Sequence, residues 1–334
     1  MLETFLLVLH FLYVGGGDCT ILEYQNDTKK YLYCIDFGDN ISLTKRKTDV
    51  VKYLEKLGCK NKNTQNSNNE GIKNGDNNNM QNSDNNNMQN GDNNNMQNSD
   101  SDIEFNCILT HPHFDHYQYL SLFNKNFDIN KFYYSNLYDD YSKINFTDKY
   151  LNTIFYNKKV RSVVNSFSKK QKKQVFSDDI IFSDENICVK VLWPTKDYKE
   201  ENNDFNDNSM VILITLLDSN KNIILMGDAG IKAEKEIMNK YPELKDVDII
   251  KIGHHGHCSS SSQDFIDKMN PKIVINSAGP HLLSAGLINF HTRKKVMQAW
   301  QRSRNGEAKV YTTYNHGDIV ITYDPKKIDF IIQK

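Results

Sequence analysis

Apolar residues along this chain recur mostly in short runs that are typical of buried β-strands rather than of long helices. The runs are rich in Val, Ile, Leu, Phe and Tyr, and several end at Gly or Asp. They predict strands at 5–14, 19–24, 31–36, 105–109, 187–192, 210–217, 222–227, 248–252, 272–276, 309–313 and 318–323. Helical spacing falls between them, at 48–57, 231–240, 262–269 and 292–303, with Ser261, Ser262 and Asp264 suiting a helix start. Strands first, then strands alternating with helices, predict layered α and β structure.

One segment, 60–102, breaks this pattern because it is almost entirely Asn, Asp, Ser, Gln and Lys. It contains three eight-residue units, DNNNMQNS, DNNNMQNG and DNNNMQNS, which begin at 76, 84 and 92. Such a segment buries too little apolar surface to offset its chain entropy, so we predict a disordered insert in a single domain that spans 1–334. A surface insertion without a role of its own is the favoured interpretation, and an interaction tract is the alternative.

The region 117–186 is harder to interpret, and the sequence leaves open whether it forms a lid or a packed extension. It contains the lysine-rich piece VRSVVNSFSKKQKKQ at 160–174. We interpret this piece as the solvated face of a helix, with a phosphate-binding patch as the alternative.

Composition excludes few classes of protein. The formal net charge of −1 implies no nucleic-acid or acidic partner by itself, and no protein partner can be inferred. The six cysteines form no CxxC pair, which predicts reduced, mostly buried thiols. The apolar start, MLETFLLVLHFLYVGGGD, lacks a basic n-region and predicts a first strand rather than a signal peptide. Because no run is long enough to span a bilayer, we expect a cytoplasmic protein without membrane contact.

The segment THPHFDH, at 110–116, carries the densest chemistry in the chain. Continued strand alternation would send His111 and His113 to the same side, with Asp115 and His116 following after the strand. Imidazoles suit zinc or iron, and a carboxylate suits a harder ion, so this cluster predicts two adjacent metal ions. Two further groups also follow predicted strands: Asp228 in ILMGDAG and the histidines of KIGHHGH at 251–257. Together they predict an active site at the edge of a sheet.

H-x-H-x-D-H after a strand, then G-D, then H-H-G resembles the metallo-β-lactamase superfamily, and more narrowly the hydrolase domain of the ComEC/Rec2 DNA-uptake proteins. Other pieces agree: FLYVGGGDCTIL with Asp18 resembles the V-G-x-G-D turn, and YCIDFG with Asp36 resembles the first superfamily motif. The pieces NDNSMVILI, IILMGDAG and INSAGPHLLSAGLINFH, which ends at His291, also match. The resemblance covers 5–60 and 102–323. It implies an α+β or α/β fold, a four-layer αββα sandwich.

The same resemblance implies a role for individual residues and two divalent ions, Zn²⁺ first and Mn²⁺ as the alternative. His111 and His113 would bind the first ion, Asp115 and His116 would reach the second, and Asp228 would bridge both. Either His254 or His255 would complete the second position. The remaining implied role belongs to Asp36, which would hold the H-x-H-x-D-H loop from behind by hydrogen bonds.

The chain departs from the family pattern at several positions. It has no histidine from 117 to 253, where many relatives place another ligand, and Asn208 or Asp207 is the expected stand-in. Gly16 replaces the glutamine of V-G-Q-G-D, Tyr117-Gln118 replaces a usual G-G, and His257 stands where H-H-G-S has serine. These changes bear on substrate choice rather than on the fold.

The function that follows is a metal-dependent hydrolase that attacks a phosphodiester, with nucleic acid as a candidate substrate, through a metal-bridged hydroxide. Asp115 and His291 are the predicted catalytic residues, and either His291 or His257 would protonate the leaving group. Two alternatives remain open. One is a small-molecule esterase or phosphodiesterase that resembles phosphorylcholine esterases or lactonases, and the other is a non-catalytic metal-binding interaction protein.

Overall fold

The strand-rich pattern of the sequence builds two β-sheets in the computed structural model, which describes residues 5–38, 47–64, 103–135, 160–198, 205–279 and 308–334. In chain order the strands are β1 (Leu6–Phe11), β2 (Thr20–Gln25), β3 (Lys30–Ile35), β4 (Ile103–Leu109), β5 (Lys131–Tyr134), β6 (Lys172–Gln174), β7 (Ile180–Ser183), β8 (Ile187–Trp193), β9 (Val211–Leu216), β10 (Lys221–Leu225), β11 (Ile249–Lys251), β12 (Ile273–Asn276), β13 (Lys309–Thr312), β14 (Ile319–Asp324) and β15 (Asp329–Gln333). The first sheet has the order β15-β14-β1-β2-β3-β4-β5-β6, and the second has the order β13-β12-β11-β10-β9-β8-β7.

Each sheet is parallel in one half and antiparallel in the other. In the first sheet β3 to β6 run parallel to one another, while β1, β2, β14 and β15 pair antiparallel. In the second sheet β10 to β13 run parallel, and β7 to β10 pair antiparallel. Within each parallel half the carboxyl ends of the strands emerge at one edge, where loops collect polar side chains.

Helices cover the outer faces of both sheets. They are α1 (Val50–Lys56), α2 (Phe114–Tyr117), α3 (Leu120–Asn126), α4 (Ile231–Lys240), α5 (Gln263–Met269) and α6 (Thr313–His316), with a further helical stretch at 160–166. A side-chain N-cap starts three of them: Asp49 accepts from the Lys52 N–H at α1, Ser262 accepts from the Phe265 N–H at α5, and Thr312 accepts from the Asn315 N–H at α6.

Three apolar cores hold these layers together. The central core joins the facing sides of both sheets, for example Leu9 and Phe11 with Ile212 and Ile223. A second core lies between the first sheet and α1, α3 and 160–166, and a third lies between the second sheet and α4 and α5. The order of layers is therefore helix, sheet, sheet, helix, which confirms the predicted αββα sandwich.

All eleven predicted strands are present, and so are the predicted helices at 48–57, 231–240 and 262–269, each within a few residues of its predicted bounds. The helix predicted at 292–303 lies outside the described residues. Four strands were not predicted: β5, β6, β7 and β15. The helical interpretation of 160–174 was wrong for its lysine-rich half, because Lys172–Gln174 forms the edge strand β6 and the helix ends at 166. An exposed lysine-rich strand is a common way to protect a sheet edge.

The other expectations on the chain have mixed outcomes. The apolar N-terminal run forms β1, which pairs with β2 and β14, and the six cysteines are all free, four of them buried. Residues 65–102 of the polar insert lie outside the described residues. None of the helices within the described ranges combines the length and the hydropathy that a bilayer-spanning helix requires.

Candidate metal centre

The H-x-H-x-D-H segment lies directly after β4 at the carboxyl edge of the first sheet. Because β4 ends at Leu109, His111 and His113 belong to a loop. Strand alternation is therefore not what places their side chains on the same side. The loop nevertheless brings these two rings to 4.6 Å between centroids. Asp115 and His116 then lie in α2, which starts immediately after His113.

Asp36, the residue after β3, holds this loop from behind. Its Oδ1 accepts from the Thr110 N–H at 2.8 Å, and its Oδ2 accepts from Thr110 Oγ1 at 2.8 Å and from His116 Nδ1 at 2.8 Å. Since the Thr110 hydroxyl proton goes to Asp36, its oxygen accepts from His111 Nδ1 at 3.2 Å. In their neutral forms, which a metal ion requires, both imidazoles therefore carry their proton on Nδ1 and present an unprotonated Nε2.

The second sheet supplies the other two side chains of the cluster. Asp228 follows β10, and its backbone N–H donates to Ser209 Oγ at 3.0 Å. His255 lies in the short 3₁₀ turn His254–Gly256 after β11, with φ at 52°. Its Nδ1 is 2.8 Å from the carbonyl oxygen of Ser277, which only accepts, so in the neutral ring Nδ1 carries the proton and Nε2 is bare.

These side chains form two neighbouring groups of candidate metal ligands. The first contains His111, His113 and Asp228, the second contains Asp115, His116 and His255, and within each group the candidate ligand atoms lie within 4.8 Å of one another. Oδ2 of Asp228 touches both groups, at 3.7 Å from His111 Nε2, 3.2 Å from His116 Nε2 and 3.6 Å from His255 Nε2. His255 Nε2 is also 3.3 Å from Asp115 Oδ2. This arrangement can bind metal.

Several buried polar atoms of the cluster have no hydrogen-bond partner among the described residues. They are Nε2 of His111, Nε2 of His116, Nε2 of His255 and Oδ1 of Asp228. A buried polar atom without a partner is unfavourable, and native proteins rarely leave one so. All four are lone-pair donors that converge, which is the donor set that a cation satisfies.

The pKa shifts around the cluster also show that its carboxylates stabilise a nearby positive charge. Burial raises the pKa of Asp228, but His116 and His255 outweigh burial and lower it well below its usual range. Burial lowers the pKa of His255, yet Asp228, Asp18 and Asp115 raise it to about 9. Likewise burial lowers the pKa of His116, and Asp228 and Asp36 raise it above its usual value. Protons thus supply the charge that a bound cation would replace.

His254 takes no part in either group. Its Nδ1 contacts Ser259 Oγ at 2.8 Å, and its ring lies against His257 at 4.7 Å between centroids. Of the two consecutive histidines that the sequence could not separate, the structure brings only His255 to the cluster. His291, the predicted proton donor, lies outside the described residues.

The two residues considered as stand-ins for the absent histidine differ in their contacts. Asp207 accepts from the Gly230 N–H at 3.1 Å through Oδ1. Asn208 is 1% exposed, and neither its oxygen nor its nitrogen has a partner among the described residues. It ends the 3₁₀ helix Phe205–Asn208, whose Phe205 ring lies 5.9 Å from that of His113.

Sequence reasoning gave no role to a buried ion pair beside the cluster. Lys251, the last residue of β11, donates to Asp18, which precedes β2, and both side chains are buried. A ligand atom of Asp18 also lies within 4.8 Å of those of His116 and Asp228. The available signal was a lysine at the end of an apolar strand, where a charge seldom lies without a partner.

The two mixed sheets, the outer helices and the His/Asp cluster at the strand ends define a metallo-β-lactamase-fold protein with a candidate metal site. No protein-family model matches the chain. The predicted resemblance to ComEC-type proteins is confirmed by sequence relatives. The chain is 34% identical over 113 residues to ComE operon protein 3 of Bacillus subtilis (strain 168), a match that covers 30% of this chain and 14% of the relative.

A second relative is Recombination protein 2 of Haemophilus influenzae, 32% identical over 73 residues, which covers 22% of this chain and 9% of the relative. This chain therefore matches only a small part of the length of its curated relatives. Among solved structures, the metallo-β-lactamase fold protein YhfI from Bacillus subtilis aligns with a TM-score of 0.42 at 10% identity, covering 95% of this chain and 99% of that one.

Proposed function

We propose that this protein is a metal-dependent hydrolase of phosphodiester bonds that holds two divalent ions, with Zn²⁺ as the first choice. The observation that carries the proposal is the pair of neighbouring His/Asp groups, with Oδ2 of Asp228 within 3.7 Å of a histidine Nε2 in each. His111, His113 and Asp228 would hold one ion, and Asp115, His116, Asp228 and His255 would hold the other. Asn208, which is buried and has no hydrogen-bond partner for its side chain among the described residues, is our candidate for a further oxygen ligand of the first position.

The charges of the cluster fit this assignment. Asp18, Asp36 and Asp228 are buried carboxylates, Asp115 is mostly buried, and the buried cation beside them is Lys251. With neutral imidazoles the cluster then carries about three uncompensated negative charges, which two divalent ions offset. The bare Nε2 atoms supply the nitrogen donors that zinc prefers, and the carboxylates complete the set.

When bound, two neighbouring divalent ions supply Lewis acidity and activate water near neutral pH. The chain's own residues set the direction of approach. His113 and Asp115 are half-buried while His111, His116, Asp228 and His255 are buried, so a substrate reaches the cluster from the side of the first two. The opposite side is closed by Asp36 and Thr110.

The proton for the leaving group has one described candidate, the half-buried His257. Its Nδ1 accepts from the Ser259 backbone N–H at 3.2 Å, so Nε2 carries the proton and can donate it. His291 remains a prediction from the sequence. His257 adjoins His254 rather than the metal ligands themselves, so it would act on the part of a substrate that extends beyond the ions.

Nucleic acid is the substrate that we infer within this class. The name of one relative, Recombination protein 2, refers to a process that acts on nucleic acid. The lysines of β6 and the turn before it are largely exposed on one sheet edge, where they can contact phosphates.

The test is metal content and turnover of the wild type and of two histidine variants. Bis-p-nitrophenyl phosphate and single-stranded DNA serve as substrates, with Zn²⁺ or Mn²⁺ supplied. We expect about two ions per chain and loss of turnover in His255→Ala, whereas the neighbouring His254→Ala retains both. Cleavage of DNA supports the nucleic-acid substrate, and cleavage of the small diester alone limits the proposal to phosphodiesters. A folded protein without metal, or equal loss in both variants, would contradict the assignment.

A further inference from the structure

Lys251 and Asp18 form an ion pair beneath the candidate metal centre. Lys251 is 3% exposed and Asp18 is 1% exposed, and no other lysine in the described ranges is buried. The lysine ammonium donates to Oδ2 of Asp18. A buried charge is expensive unless it is paired, so this pair needs both members.

Asp18 is also tied to the loops that carry the ligands. Its backbone N–H donates to the carbonyl oxygen of Asp115 at 3.1 Å, and its own carbonyl oxygen accepts from the Gly38 N–H at 3.0 Å. These bonds fix the backbone of Asp18 relative to α2. A shift of that backbone would therefore disturb Asp115.

The second oxygen of Asp18 lies beside the Nδ1 edge of the His255 ring. Oδ1 has no hydrogen-bond partner in the described part of the chain, and it lies 3.8 Å from His255 Nδ1. One carboxylate oxygen of Asp18 also lies within 4.8 Å of a ligand atom of His116 and one of Asp228. Asp18 is thus close enough to act as a metal ligand, yet one of its oxygens is engaged by Lys251.

A fixed positive charge beside a cation site weakens that site unless it has another task. Lys251 extends from the end of β11, three residues before His254, directly to Asp18. It compensates a carboxylate that would otherwise be free to turn toward a bound ion. The pair therefore sets both the charge and the geometry behind His255.

We propose that Asp18 and Lys251 are a positioning pair for the second metal position. Lys251 holds Asp18 so that its free oxygen faces the His255 ring without becoming a ligand, and together they set the affinity of that position. This inference rests on the proposed metal site.

The test uses the opposite charges of the two residues. Zn²⁺ is titrated into the full chain in competition with a chromophoric chelator, for the wild type, Asp18→Asn and Lys251→Met. Loss of the carboxylate leaves the ammonium unpaired, so Asp18→Asn should bind the second ion about 10- to 100-fold more weakly, as for other residues behind metal ligands. Loss of the ammonium should instead tighten that ion on the order of tenfold, because a like charge is removed. Turnover should fall in both variants.

If the pair positions the metal site, Asp18→Asn and Lys251→Met shift the Zn²⁺ affinity in opposite directions. If the pair only supports folding, both variants bind Zn²⁺ more weakly. The matched control is Lys221→Met, since Lys221 pairs with Asp248 at 3.2 Å, in the same sheet but at the start of β10. It should lose stability without changing the Zn²⁺ affinity. If Lys251→Met does not fold, Asp18→Asn and the double variant Asp18→Asn/Lys251→Met, which removes both charges, still decide the matter.

The double variant should bind Zn²⁺ more tightly than Asp18→Asn alone. Shifts in the same direction in both single variants, or a double variant no tighter than Asp18→Asn, would overturn the pairing role while leaving the metal site intact. A wild type that binds no Zn²⁺ would instead remove the proposed function itself.

Discussion

Asp36→Asn is the substitution that tests most directly how the loop is held behind the ligands. Asp36 accepts three hydrogen bonds, from the Thr110 N–H, the Thr110 hydroxyl and His116 Nδ1. An amide has the same shape but only one acceptor atom. In one orientation its amino group meets the Thr110 N–H, and in the other it meets His116 Nδ1. The second orientation favours the tautomer of His116 that is protonated on Nε2, the atom that faces Asp228 at 3.2 Å.

The substitution should change metal binding and folding by comparable free energies, so the two are measured separately. Loss of such a partner lowers metal affinity by about 10- to 100-fold, which is about 1.4–2.7 kcal/mol. In the metal-free protein the change leaves about one donor without an acceptor, which costs about 1–3 kcal/mol. Burial raises the pKa of Asp36, so removing its charge offsets part of that cost. We therefore expect a loss of Zn²⁺ affinity of about 10- to 100-fold, together with a decrease of at most about 1–3 kcal/mol in the free energy of unfolding of the metal-free protein.

The assay is a chelator-competition titration with Zn²⁺, combined with urea unfolding in EDTA. Asp184→Asn is the matched control, because Asp184 accepts from the Ile187 N–H, the Asn186 N–H and Tyr24 at the β7–β8 turn, away from the cluster. It should lower stability and leave Zn²⁺ affinity unchanged. Wild-type Zn²⁺ affinity in Asp36→Asn would refute the reasoning that Asp36 sets the tautomer of His116.

Three further outcomes are expected. Zn²⁺ at 100 times its Kd should raise the free energy of unfolding of EDTA-treated protein by about 2.7 kcal/mol per site, measured by urea unfolding, and Asp228→Asn should abolish most of this gain. Gly38→Ala should reduce the metal content, measured by elemental analysis, because a Cβ there would lie 1.2 Å from the Asp115 carbonyl oxygen. Burial alone would raise the pKa of Glu23, but bonds from His10 and Lys30 lower it below the ordinary 4.5. Ionised Glu23 therefore stabilises the fold above that pH, so the stability difference from Glu23→Gln should shrink as the pH falls below it, and a constant difference would contradict the sign.

The core strands could be predicted because their own sequences consist largely of apolar residues, which indicate burial. The strand β9, VILITL, alternates between two apolar cores, with Ile212 and Ile214 toward the central core and Val211 toward the helices. By contrast β6, with the sequence KKQ, has no apolar signal and is a strand because it pairs with β5. Pairing with a distant neighbour is a tertiary effect that a local pattern does not contain.

The location of the candidate site could be predicted from residue types, but the choice among neighbouring residues could not, because it depends on backbone geometry. Histidines and aspartates that follow apolar strands are enough to locate the cluster, because their side chains are the usual metal ligands. The choice between His254 and His255 depends on a turn in which both residues have positive φ, at 45° and 52°. The pairing of Asp18 with Lys251 spans 233 positions of the chain, so neither residue indicates its partner.

The position of the cluster between the two sheets gives metal binding a structural consequence. The first sheet's loops supply His111, His113, Asp115 and His116, and the second sheet's loops supply Asp228 and His255. Each candidate group contains at least one residue from each sheet, so an ion in either group joins the two halves of the fold. The central apolar core holds the sheets together elsewhere, whereas at this edge the facing groups are carboxylates and imidazoles, which attract one another only when the imidazoles are protonated. An ion bound there would therefore join the two sheets at an edge that is lined by polar side chains, and metal binding should stabilise this edge of the fold.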